Sequence, residues 1–152
     1  MSRETYINYD DIVKNEQALI DYLAKNSDTF SVLVILKKPY SQDPPAFNYD
    51  VQLRPFVKQY IYERSARPVR FLSYSNHQIM VVCHCNGKSR KQLLQMPNLF
   101  LAEEGDLPED ICFYRNGQIW FATISHEKLA FALDVTEEDV SFLKKNNIRF
   151  SV

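Results

Sequence analysis

The chain has 152 residues, 45% hydrophobic and 24% charged, with a formal net charge of −1, a composition typical of a globular domain and not of a disordered one. Three glycines are too few for a phosphate-cradling loop, no apolar run approaches the roughly 18 residues a membrane helix needs, and the start at Met1 to Tyr6 has no apolar signal core. Cys83, Cys85 and Cys112 make an odd count in a chain large enough to dispense with disulfides, so a single cytoplasmic domain over residues 1–152, without membrane partner or cofactor, is expected.

From Asp10 to Lys25 the apolar residues Ile12, Leu19, Ile20 and Leu23 share a helical face, with Asp10 or Asp11 available as a cap. Phe30 to Leu36 is a nearly continuous, β-branched apolar run, as expected of a central strand buried on both faces. Pro39 to Asp50 reads as a loop. Leu53, Phe56, Val57, Tyr60 and Ile61 then follow helical spacing, with Pro55 tolerated only in the first turn. Val69–Tyr74 and His77–Cys85 are expected strands joined at Ser75-Asn76, and Lys88–Met96 an expected helix stopped by Pro97. Leu99–Ala102 is a further candidate strand.

Asn116-Gly117 lies between the β-rich runs Ile111–Arg115 and Gln118–Ile124, the preferred pair for a two-residue type I′ hairpin turn. Ser125 to Leu133 suggests a brief helix. Thr136-Glu-Glu-Asp139 resembles a capping box opening a last helix, and Ile148–Val152 a closing strand. Helices interleave with strands, but two connections are hairpins. The expected fold is α+β, a mixed, mostly antiparallel sheet with helices packed against it.

Charge is distributed unevenly. Residues 51–102 carry eight bases and one acid, against five bases and eight acids in 1–50 and five and ten in 103–152. Such a segment either marks an anion-binding surface or neutralises itself within the fold. Asn86-Gly87-Lys88-Ser89 resembles the end of a phosphate-binding loop, but the first glycine of that motif would fall at Val82. What remains is a helix start, with its unpaired N–H groups, beside Lys88, Ser89, Arg90 and Lys91, and with Arg64, Arg67 and Arg70 elsewhere in the segment. These seven residues form the expected ligand-binding set. Tyr60, Tyr62, Phe71 and Tyr74 could stack bases, yet a pI near 6.3 makes nucleic acid the weaker expectation.

Cys83-His84-Cys85 invites a metal site, but strand alternation places the two cysteines on one face and His84 on the other, and no C-x-x-C pair accompanies them. No metal is expected. Ser125 in Ser125-His126-Glu127 serves more readily as a helix cap than as a nucleophile, and no catalytic motif is present.

The stretch Ile111-Cys-Phe-Tyr-Arg-Asn-Gly-Gln-Ile-Trp-Phe-Ala-Thr-Ile-Ser-His-Glu-Lys, with Thr136-Glu-Glu-Asp139 and Lys144-Lys145-Asn146-Asn147, resembles small uncharacterised proteins of Bacillus-type bacteria often labelled stage III sporulation protein AH. The resemblance covers the C-terminal third. It implies a bacterial, phage or prophage origin and supplies no catalytic residue.

The expected function is therefore non-catalytic binding or regulation, with the basic segment holding an anionic small molecule or an acidic partner protein, as an inhibitor or sequestering protein of a bacterial–phage conflict system would. The alternative is a small hydrolase of a phosphorylated substrate, with His84, His126 or a cysteine as the reactive group.

Overall fold

Strand periodicity and capping chemistry set most of the architecture. The computed structural model describes residues 3–35, 68–73, 78–94 and 109–151. In chain order these form β1 (Glu4–Ile7), α1 (Tyr9–Lys14), α2 (Glu16–Lys25), β2 (Thr29–Ile35), β3 (Pro68–Ser73), β4 (Gln78–His84) and α3 (Gly87–Leu93). There follow β5 (Glu109–Arg115), β6 (Gln118–Ile124), a 3-10 turn (Ser125–Glu127), β7 (Leu129–Leu133), α4 (Glu137–Lys145) and β8 (Phe150–Ser151). The eight strands make one sheet in the order β3-β4-β2-β5-β6-β7-β1-β8. Every described pairing is antiparallel, so the α+β fold takes the limiting form of the mostly antiparallel sheet expected.

The core lies on one face of this sheet. Ile12, Leu19, Leu23, Leu93 and Leu143 from the helices close over Phe30, Val32, Cys83, Phe113, Phe121, Ala130 and Ala132 from the strands. Strand residues alternate between faces, so Tyr6, Leu33, Met80, Cys112, Tyr114 and Phe131 belong to the opposite side. There the Ser31 and Tyr114 hydroxyls hydrogen-bond at 2.9 Å. Phe30 and Val32 on one side and Ser31 on the other are all buried, as expected for a central strand.

The β5–β6 hairpin has the predicted turn. Asn116 and Gly117 take φ of 50° and 76°, between the paired residues Arg115 and Gln118. A Cβ at Gly117 would meet nothing within 4 Å, so the only penalty of Gly117→Ala is backbone strain. We expect a loss of about 1 kcal/mol for Gly117→Ala and more for the β-branched Gly117→Val, read as lowered urea midpoints. Two unchanged midpoints would contradict this turn geometry.

One irregularity in the same hairpin matters further on. The register shifts between Phe113↔Phe121 and Tyr114↔Ile119, which makes Trp120 an extra residue. The bulge turns Trp120 towards the helices, so that it and Phe121 are both buried.

Several expectations need correction. The single helix of 10–25 is two, α1 and α2, parted at Asn15, and the cap is Asn8, whose side chain accepts from the Asp11 amide at 3.1 Å. Ser125–Leu133 is a 3-10 turn followed by strand β7, because Lys128 at φ 52° ends the turn and the next five residues alternate in burial. Asp110, at φ 53°, supports this corner: its side chain accepts from the Ser125 amide at 2.7 Å, and its own amide donates to Ser125 Oγ at 3.0 Å. β1 was not anticipated at all. The expected loop 39–50, the helix around 53–61, the Ser75-Asn76 turn and the strand 99–102 lie outside the described residues.

Candidate functional site

The basic helix α3 leaves the end of β4 and packs beside α2. Leu93 anchors it in the core, and Gln17 Nε2 donates to the Leu94 carbonyl at 2.9 Å. Its start is closed by its own side chains. Asn86 Oδ1 accepts from the amides of Lys88 at 3.0 Å and Ser89 at 2.9 Å. Ser89 Oγ in return accepts from the Asn86 amide and donates to the His84 carbonyl at 2.8 Å. This reciprocal arrangement satisfies the orphan donors of a helix start.

Two expectations therefore change. The helix start does not offer the Lys88 and Ser89 amides to an anion, because Asn86 already engages both. Ser89, 1% exposed, is a capping residue and not a ligand contact. Asn86, which the sequence presents only as part of an incomplete phosphate-loop motif, is the helix cap.

What α3 presents outward is charge. Lys88 and Lys91 are exposed and make no ion pair among the described residues. Arg90 differs. Its Nε lies 3.4 Å from Asp21 Oδ1, near enough for charge attraction though not hydrogen bonded, and Asp21 also holds Lys25 at 3.0 Å. Arg70 lies on β3 with its backbone paired to Val82, so β3, β4 and the start of α3 share one end of the sheet. Arg64 and Arg67 lie outside the described residues.

The residues proposed for chemistry are dispersed. His84 is an exposed residue of β4 and His126 an exposed residue of the 3-10 turn after β6, with β2 and β5 between their strands. At about 4.8 Å per strand, that spacing keeps the imidazoles from acting on one atom. All three cysteines are free. Burial pushes the thiols of Cys83 and Cys85 up to about 12 and that of Cys112 to about 11. A nucleophilic cysteine needs the opposite shift. At pH 8 the native protein should therefore resist iodoacetamide and become alkylated at all three positions only in urea. Rapid labelling of the native protein, read by mass spectrometry, would show a thiolate the structure does not support.

Among the described residues no three His, Cys, Asp or Glu side chains gather as a metal would require, and no helix is long and apolar enough to cross a membrane. The strongest polar cluster is one the sequence did not reveal. Arg115 donates from Nη1 and Nη2 to Asp139 at 2.9 and 2.7 Å and from Nε to the Asn26 carbonyl at 3.0 Å, and its guanidinium lies 3.3 Å from the Trp120 ring centre. Tyr22 adds a 2.7 Å hydrogen bond to Asp139 and stacks on Phe142. Every polar partner is satisfied, which is the signature of a structural clamp. No protein-family model matches the chain, and neither the curated proteins nor the solved structures yield a match.

Proposed function

We propose that the protein is a non-catalytic binding protein whose basic helix α3 docks an anionic ligand or, better, an acidic surface of a partner protein. The observation that carries this reading is the contrast along α3. Lys88 and Lys91 stand exposed, without an ion pair among the described residues, on a helix anchored by Leu93 and the Asn86–Ser89 cap, while Arg90 is drawn to Asp21. Exposed, unneutralised cations on a fixed element steer and orient an oppositely charged surface.

An acidic protein suits the site better than a small phosphate, because Asn86 already engages the helix-start amides that would cradle an anion. The regulatory role in bacterial or phage biology drawn from the sequence resemblance belongs to this proposal too. The raised cysteine thiols and the separated histidines favour it over a hydrolase.

Native mass spectrometry of protein purified at low salt from its own host tests the reading. The expected result is a retained acidic protein or anion that dissociates as salt is raised and is missing from the Lys88→Gln/Lys91→Gln variant. A retained species held equally by the variant would overturn it.

A further inference from the structure

At the end of the sheet far from α3, the start of α4 and the edge of β1 enclose a half-open cleft of about 710 Å³. Its size is that of a small-molecule site. Thr5, in β1, lines this cleft. It is 1% exposed, and its Oγ1 has no hydrogen-bond partner among the described residues. Buried hydroxyls are nearly always paired, and an unpaired one costs about 1–3 kcal/mol, so a buried, unpaired hydroxyl on a residue that lines a cleft points to a ligand.

The charges around it narrow the ligand's chemistry. Arg3 and Glu137 both line the cleft, both are exposed, and neither forms an ion pair among the described residues. A cation and an anion that share a cleft without pairing suit a molecule that carries both signs. Asp134 is less available, because its Oδ1 already accepts from the Arg3 amide at 3.0 Å. Val135, Val140 and Phe150 complete the wall with apolar surface.

The start of α4 is itself closed by the reciprocal Thr136–Asp139 capping box, so the helix end alone does not define the site. Among the described residues β8 pairs with Tyr6 and Ile7, and no described strand covers Glu4 and Thr5 on that side.

We propose that this cleft binds a small zwitterion of the amino-acid type with an apolar side chain. Arg3 faces the ligand's carboxylate, Glu137 its ammonium, Thr5 Oγ1 a polar atom between them, and Val135, Val140 and Phe150 its side chain. A free amino acid and a short peptide share this chemistry.

Isothermal titration calorimetry with L-leucine and with leucyl-leucine tests it on the full chain. At least one of the two should bind, and the tighter one identifies the source. Isopentylamine and 4-methylpentanoate, each carrying a single charge, should bind at least about tenfold more weakly, as should the tighter zwitterion to Arg3→Gln or Glu137→Gln. Thr5→Val separates binding from folding. It replaces an unpaired hydroxyl with a methyl, so the variant should melt no lower than wild type yet bind the ligand more weakly. No heat from either zwitterion at millimolar concentration, or equal binding by the single-charge compounds, overturns the assignment. Unchanged affinity in Arg3→Gln, Glu137→Gln and Thr5→Val does so as well.

Discussion

Asp139→Ala should destabilise the protein by about 3–5 kcal/mol, the usual loss when one partner of a buried ion pair is removed. The Asp139 side chain is 3% exposed and has four tasks. It receives both outer nitrogens of Arg115, the Tyr22 hydroxyl and the Thr136 amide, so its removal leaves Arg115 without its charge partner and breaks the α4 capping box. Burial alone would raise its pKa. The Arg115 guanidinium, the Thr136 amide and the Tyr22 hydroxyl outweigh burial and hold the carboxyl below its usual range.

Because the folded pKa is the lower one, this stabilisation is complete above the unfolded value of about 3.9 and disappears as pH falls through the folded value. The wild type should therefore lose stability steeply below about pH 4, and Asp139→Ala should show a shallower acid limb. Urea midpoints at pH 7 and across the acid range measure both. A variant within about 0.5 kcal/mol of wild type at pH 7 would mean that the clamp is a surface decoration.

Trp120→Ala should cost about as much, roughly 3–5 kcal/mol, for a different reason. The indole is buried, lies beneath the Arg115 guanidinium, meets Tyr22 edge-on and donates to Ser27 Oγ at 2.8 Å. Its removal opens a cavity between the bulged hairpin and α2. Both substitutions act on Arg115, so the double variant should lose less than the sum of the two by about 0.5 kcal/mol or more. Strict additivity in a double-mutant cycle would show that the ring and the carboxylate act independently.

The features legible in the sequence are those written over a few consecutive residues. Asn116-Gly117 specifies its turn, Thr136 to Asp139 its capping box, and Phe30 to Val32 its buried strand, because each signal sits within one or two turns of backbone. What the sequence hides is what tertiary contacts decide. Asp11 looked like a helix cap. In the fold it accepts from Arg149 Nε at 2.8 Å and from the Arg149 amide at 2.9 Å, and so fixes the approach to β8 from 138 residues away.

β1 is not legible in the sequence because four residues give too short an alternation to register, and the apolar spacing of its partner β7 fits a helix as well as a strand. On the candidate surface, the cations of α3 were legible as composition. The Asn86–Ser89 cap and the pull of Asp21 on Arg90 depend on geometry that no local pattern encodes.

Two quantities measured on one protein, the Lys88→Gln/Lys91→Gln variant, test the central claim most directly: its melting temperature and its affinity for poly-L-glutamate over a range of salt. The side chains of Lys88 and Lys91 are exposed and hold no ion pair among the described residues, so the account predicts an unchanged melting temperature. It also predicts that the wild type binds at low salt, weakens as salt screens charges beyond about 10 Å at 0.1 M, and binds far more tightly than the variant throughout. A variant that melts lower and still binds poly-L-glutamate as the wild type does would contradict it, showing that the basic helix neutralises the acidic parts of its own fold.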